Sequence, residues 1–512
     1  MKLKLTYFFL LYLSTSVAQN TIRFNNTYTV SNGAGVSTNV LKYQNKYCLF
    51  GVSNNTSNPS QGLRFTKIDS LGNHINTVQI FHPLNYDFTY NSVSNAFIKV
   101  DSIKALYTGQ VGIAPEYSKA TLAKINLRTL DTLWLKSYSQ AGDSSWLFCS
   151  TVLSDSSIIS FGFKYYVLNS YAYSKPFMMK VDKNGNYKWH KFINNNFSNT
   201  LYLYQKIIKL SDNDFIVAGH KVPNWCIPQA FAMRIDTNAV KQYEVNFTGI
   251  QYPTVADCIL LIDGTCLAGG AYTSLSNCSV NPDKYRKYVY KFNPLTGAKI
   301  SSKAYNVQAN TNGILCLVQK TNGIILAGGG TGVFTPTTSV NSQGDVLWLN
   351  SNLDSLKSIY IDVPNPADQA APNQLLLTPD GGFAAAIASY PVVGVAKFWL
   401  IKADSNACFS STCANVGIEE LKIKDDELKI YPNPASEILN VEWKMENGAS
   451  IGLATNAYKI EIVNVLGEVV LNQIATTNNL TLNIHNFNSG IYFMQLIDAK
   501  KQLISTRKFI KR

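Results

Sequence analysis

Residues 178–192 read "MMKVDKNGNYKWHKF". An apolar run closes on Lys180, Val181 and Asp182, a polar turn holding Gly185 follows, and an apolar run reopens around Trp189. Short apolar stretches broken by Asn, Asp and Gly are the pattern of strands joined by tight turns. The Asp side chain accepts from nearby backbone amides, and Gly takes positive φ without a steric cost. The stretch therefore reads as a hairpin.

Versions of the same phrase recur along the chain. Their Asp or Asn anchors are Asp69, Asn126, Asp182, Asp236, Asn293, Asn341 and Asp404, at spacings of 57, 56, 54, 57, 48 and 63 residues. Upstream of each runs a polar turn and an apolar strand. That strand ends on Gly51, Gly109, Gly162, Gly219, Gly270 or Gly330, and on Ile387 in the last copy. A further apolar segment precedes each of these. Each unit then holds four short strands, and the opening phrase links the third to the fourth. Four-stranded antiparallel sheets repeated radially make a β-propeller, so seven units predict seven blades. Trp134, Trp189 and Trp348 read as one position of the fourth strand, where a large ring seals one sheet against the next.

The seventh unit reaches its third strand near Leu400 and then runs into "DSNACFSSTC". The segment "NTIRFNNTY" at residues 20–28 resembles the fourth-strand stretch "QYEVNFTG" at 242–249. Strand 20–28 is therefore expected to complete the last blade, which covers an otherwise open sheet edge.

The 512 residues exceed what one ordinary core organises. Hydrophobic residues make up 46% and charged residues 15%, with 29 Tyr and 25 Phe, a composition that suits an extracellular β protein. "MKLKLTYFFLLYLSTSVAQN" opens with Lys2 and Lys4, continues with a short apolar stretch and ends on a small-residue cleavage site. It reads as a signal peptide spanning 1–18, cut between Ala18 and Gln19, and is too short to be a membrane span. No later stretch has the length of a membrane helix, so no transmembrane segment is expected. The net charge of +13 comes mostly from Lys, since Arg occupies only seven positions. Scattered Lys, one near each strand end, reads as a solvated surface and not as a nucleic-acid site, which favours clustered Arg.

Nine Cys in an exported chain leave at least one unpaired within it. Cys408 and Cys413 sit in one polar loop and form one expected disulfide; Cys226 and Cys278, in corresponding loops of neighbouring units, form another. Cys48, Cys149, Cys258, Cys266 and Cys316 lie inside apolar strand patterns and read as small buried hydrophobes.

No catalytic constellation emerges. The five His form no HExxH arrangement, no GxSxG occurs, and "GGGTG" at 328–332 follows a strand without the Lys-Ser/Thr of a phosphate loop. No cofactor or metal is expected. The expected role is a binding or adhesion module for a glycan or protein ligand, carried on loops such as 221–230, 272–287 and 365–374. Trp225 and Tyr285 are candidate contact aromatics there. The alternative is an extracellular glycan-active hydrolase or lyase working at the channel face.

Residues 409–427 change character and read as a linker. Beyond them, alternating apolar positions predict a small C-terminal β-sandwich over 428–512. "YPNPASEILNV", "VLGEVV", "SGIYFMQL" and "RKFIKR" follow in order there. These motifs resemble the type A sorting domain of the type IX secretion system, with Tyr431, Pro432, Asn433, Pro434, Gly467, Gly490 and Tyr492 as the matching positions. The resemblance implies export by the type IX machinery and removal of the domain by a sortase-like protease. It also implies release, or attachment to lipopolysaccharide at the outer face of the outer membrane.

Overall fold

The structure is a computed structural model. It describes residues 22–512 apart from 30–33, 56–57, 90–94, 114–116, 139–143, 169–170, 195–199, 224–227, 250–251, 274–284, 306–312, 333–341, 362–368, 391–395, 410–427, 444–457, 465–467, 476 and 498–502. The chain divides into two compact units, residues 1–411 and 412–512. The described residues of both units are built from β-strands. Among the described residues no helix is long and apolar enough to cross a membrane.

The described residues of the first unit form seven antiparallel sheets, the repeated architecture of a β-propeller. The third is typical: Ser144–Val152, Ile158–Leu168, Tyr171–Val181 and Tyr187–Phe192 pair in chain order. The first sheet spans 35–80, the fourth 201–246, the fifth 254–305 and the sixth 314–361 in the same order. In the second, two short pieces, Asp87–Thr89 and Phe97–Lys99, share the edge of Lys104–Ile113 where a single first strand stands elsewhere. The seventh joins Gln369–Leu377, Phe383–Tyr390 and Phe398–Ala403 to Phe24–Tyr28, which pairs with Phe398–Ala403 from Phe24↔Lys402 to Tyr28↔Phe398.

Successive sheets share cores. Phe50 and Phe65 of the first pack with Phe97 and Tyr107 of the second, and Leu122 of the second with Phe177 of the third. Phe161 meets Phe231, Ile216 meets Tyr288, Val289 meets Leu347 and Trp348 meets Phe383. Phe398 and Leu400 of the seventh sheet share a core with Val40 and Leu49 of the first. Each sheet thus buries both faces, which is how thin four-stranded sheets reach a stable burial of apolar area.

The hairpin quoted above is an Asx turn. Asp182 Oδ1 accepts from the amides of Asn184 at 2.9 Å and Asn186 at 2.8 Å, and its Oδ2 from Asn186 Nδ2 at 2.9 Å; that side-chain bond first, then the amide bonds, hold its pKa down at about 2. Asp69, Asn126, Asp236, Asn293 and Asp404 accept in the same way. The sixth anchor is Asn350, which accepts from Asn352 and Asp354, and not Asn341, which lies outside the described residues. With Asn350 in place the spacings become 57, 56, 54, 57, 57 and 54. The same shift moves Trp348 to the third strand of its sheet, whereas Trp134 and Trp189 lie in fourth strands. Each turn also holds one left-handed residue. Gly72, Gly185 and Gly297 take it in three, while Leu130, Ala239, Leu353 and Ala407 adopt φ between 63° and 72° in the others.

Each turn is latched by the preceding sheet. Tyr28 Oη donates to Gly72 O, Tyr138 Oη to Gly185 O, Tyr243 Oη to Pro294 O and Tyr305 Oη to Leu353 O, all at 2.8–2.9 Å. Lysines complete the set: Lys67 Nζ donates to Arg128 O, Lys191 Nζ to Thr237 O and Lys357 Nζ to Asn406 O. These lysines are thus sheet-to-sheet fasteners and not merely solvated charge.

The described residues of the second unit form a three-stranded sheet, Leu428–Tyr431, Ile438–Trp443 and Asn479–Asn483, and a four-stranded one. The latter runs Val469–Ala475, Tyr458–Asn464, Gly490–Ile497, Leu503–Lys511. Leu439, Val441, Ile460, Ile462, Met494 and Phe509 form the core of this sandwich.

Candidate functional site

The first strand of each sheet packs beside the first strands of neighbouring sheets. In the first, third, fourth, fifth and sixth sheets it bulges opposite a second-strand glycine, and in the seventh opposite Ile387. In the fifth sheet the register shifts between Val255 and Asp257, opposite Gly270 and Gly269. A Cβ on Gly270 would stand 1.8 Å from Thr254 O, so only glycine fits. Gly51, Gly162 and Gly219 face the corresponding carbonyls of Val36, Trp146 and Leu203. In the sixth sheet the equivalent residue is Gly329, one position before the expected Gly330.

A bulge leaves first-strand amides in need of partners, and side chains from the adjoining sheet supply them. Gln374 Oε1 accepts from Val40 N at 2.7 Å. Asp257 Oδ2 accepts from Leu317 N at 2.9 Å, and its Oδ1 lies 3.0 Å from Lys206 Nζ. Asn95, in the turn just before the Phe97–Lys99 piece of the second sheet, donates to Gln205 O in the fourth, a bond between sheets that are not consecutive. These polar groups serve one another, so the first-strand edge works as a structural fastening.

In the described part of this unit the free thiols are buried, and His190 and His220 are each within hydrogen-bond reach of a neighbour. Cys48, Cys149, Cys258, Cys266 and Cys316 are free thiols and buried. Burial pushes Cys48 up to about 12, far from a reactive thiolate. Burial lowers His220 to about 4, against the opposing bond to Val255 O. His190 lies in a fourth strand with its Nδ1 2.8 Å from Tyr187 Oη. Among the described residues no group of three His, Cys, Asp or Glu stands together as a metal site would.

Of the residues singled out from sequence, Ala18, Gln19, Trp225, Cys226, Cys278, Cys413 and Gly467 lie outside the described residues. Tyr285 heads the third strand of the fifth sheet. Cys408 is disulfide-bonded and its Sγ lies 3.4 Å from Arg23 Nη1.

In the C-terminal unit the motif residues converge on the last strand. Leu503–Lys511 is the edge of the four-stranded sheet, and its outer side offers unpaired backbone groups. The Tyr-Pro-Asn-Pro-Ala loop covers it. Asn433 Nδ2 donates to Lys508 O at 3.1 Å, and its Oδ1 accepts from Ile510 N at 3.0 Å. One side-chain amide thus pairs with the edge as a neighbouring peptide group would. Ala435 continues the pairing: its N donates to Ile510 O, and its O accepts from Arg512 N. Arg507 Nε donates to Leu428 O, tying the same strand to the entry of the unit. Tyr492 stacks on Phe509, with centroids 5.6 Å apart, and its Oη donates to Asn488 O. Gly490 opens its strand with free space around its Cα. The family signature therefore builds a protected C-terminal edge. Sequence reasoning found these residues but not this purpose, because no local pattern reveals which strand they meet.

Residues 429–512 match the family model described as a secretion system C-terminal sorting domain, and the chain carries that domain of the type IX system. No curated protein matches the chain. Among solved structures it is similar to a europium-containing methanol dehydrogenase, at 8% identity and a TM-score of 0.39, over 73% of this chain and 85% of that one. It is also similar to the β-propeller domain of the Trilobed protease from Pyrococcus furiosus, at 8% identity and 0.36, over 74% and 98%. A third is a Pyrococcus horikoshii acylaminoacyl peptidase, at 11% and 0.39, over 81% and 58%. Likenesses this distant bear on neither activity nor ligand, and the fold rests on the strand pairing itself.

Proposed function

We propose that this chain is an exported, surface-displayed binding or adhesion module whose first unit is a closed propeller of seven blades. In this reading residues 1–18 are a signal peptide, 19–408 the propeller, 409–427 a linker and 428–512 the sorting domain. The type IX machinery takes the chain across the outer membrane. A sortase-like protease then removes the sorting domain, and the propeller is released or joined to surface lipopolysaccharide.

The observation that carries the reading is the division of labour between the two ends of the sheets. At one end the Asx turns are latched sheet to sheet by Tyr and Lys donors. At the other end the connections between second and third strands vary in length, from two residues between Leu168 and Tyr171 to eleven between Thr273 and Tyr285. A rigid scaffold with variable loops at one end is a common way to build a recognition surface. The connecting stretches 223–228, 274–284 and 362–368, with Trp225 and the adjoining Tyr285, are the proposed ligand face; the rest of the ranges 221–230, 272–287 and 365–374 expected as loops belongs to strands. Bridges Cys408–Cys413 and Cys226–Cys278 are proposed to secure this unit after export.

A glycan array probed with residues 19–408, run beside a panel of glycosidase and lyase substrates, tests the role. Retention on defined glycans or on a surface protein supports it. Turnover without retention replaces it with a glycan-active enzyme. Separately, intact mass of the surface form tests processing: a mature chain that keeps residues 428–512 overturns the sorting step.

A further inference from the structure

Lys287 and Asp345 form an ion pair joining the third strands of the fifth and sixth sheets, with side-chain exposures of only 2% and 5%. Both side chains lie on the faces that these sheets turn towards each other. Lys287 shares its face with Val289, and Asp345 shares its face with Leu347, both in the apolar cluster between these sheets. Small residues bring the two together. Lys287 lies across from Ala271, Asp345 lies across from Gly329, and Gly313 wedges between Ala271 and Gly329.

Burying one ammonium and one carboxylate among apolar groups costs several kcal/mol per ion, so the charges tend to neutralise. Burial lowers the Lys287 pKa, opposed by Asp345. The amine of Lys287 and the carboxyl of Asp345 are the reactants of amide formation.

We propose that Lys287 and Asp345 condense into an intramolecular amide cross-link between the fifth and sixth sheets. Lys287 Nζ attacks Asp345 Cγ and the N–C bond forms. The C–O bond to the acid's hydroxyl breaks. That hydroxyl takes a proton from the attacking nitrogen and leaves as water. No oxidant, reductant or co-reactant enters. The product removes both charges from the apolar interface and welds two sheets otherwise joined by packing, hydrogen bonds and the exposed Lys303–Asp354 ion pair.

Peptide mapping of the full chain, reduced and digested with a protease that cuts after lysine, tests this. The expected result is loss of cleavage after Lys287 and a branched peptide joining the Lys287 and Asp345 segments, lighter by one water than its parts. Asp345→Asn is expected to give the same branched peptide by loss of ammonia in place of water. Lys287→Met is expected to abolish it and to restore two linear peptides. Cleavage after Lys287 in the wild-type chain, with both linear peptides at their sequence masses, overturns the proposal and leaves an ion pair only.

Discussion

Arg23 Nε lies 2.8 Å from Asp404 Oδ2, so a residue at the start of the first unit is clamped to the last Asx turn of the same unit. Asp404 is nearly inaccessible, and its other oxygen accepts from the amides of Asn406 and Cys408. Beside this pair Trp399 Nε1 donates to Asn25 Oδ1 at 2.5 Å. The strand Phe24–Tyr28 is thus held to the seventh sheet by pairing, by charge and by an indole.

Removing one partner of so buried a pair leaves an uncompensated charge. Arg23→Gln is expected to destabilise the first unit by about 2–4 kcal/mol, and Asp404→Asn by less, because the amide oxygen still accepts from the turn. Urea unfolding of residues 19–408 measures both.

The left-handed turn residues give opposite expectations. Ala239 sits at φ 63°, and Ala239→Gly is expected to stabilise by about 0.5–1 kcal/mol as the side-chain clash is relieved. Gly185 sits at φ 75°, and an added Cβ would stand 2.9 Å from the Trp134 ring of the preceding sheet. Gly185→Ala is expected to cost about 1–3 kcal/mol. Thermal denaturation of the two variants separates them by sign.

The bulge glycines are a stricter requirement. Gly270→Ala places a methyl 1.8 Å from the Thr254 carbonyl, where backbone must move. Loss of folded protein, or destabilisation of at least about 3 kcal/mol, is expected by circular dichroism. Gly264→Ala, with open space around it but φ at 79°, is expected to cost about 1 kcal/mol.

Acid sensitivity follows from His220, whose pKa burial lowers from 6.5 to about 4. The unfolded chain takes up a proton below 6.5 that the folded chain refuses until about 4, so stability falls as pH drops through that window and is unaffected above it. His220→Gln is expected to flatten this part of the stability profile, measured by urea midpoints between the two values.

Much of the architecture is legible in the chain because one turn chemistry repeats. Asp182, Gly185 and Trp189 expose the hairpin plainly. The sixth unit misleads because Gly344 and Trp348 mimic that spacing inside a strand, while its true turn uses Leu353 at φ 67° and hides the glycine signal. The interrupted first strand of the second sheet carries no marker. The lysines at strand ends look solvated in sequence, because their acceptors are carbonyls of another unit. The fastening role of Asn433 is equally non-local: its partners Lys508 and Ile510 stand at the far end of the domain.

In the sorting domain, Asn433→Ala removes both bonds to the last strand's edge and is expected to lower domain stability by about 1 kcal/mol. Secreted protein is expected to fall with accumulation inside the cell, measured by fractionation and immunoblot.

Closure of the proposed ring depends on the seven sheets meeting end to end. An experimental density map of residues 19–408 tests it most directly. It is expected to show seven sheets around one axis, with Phe24–Tyr28 as the outer strand of the last. Six or eight sheets, an open gap between the first and seventh, or residues 24–28 detached from Phe398–Ala403 would contradict it.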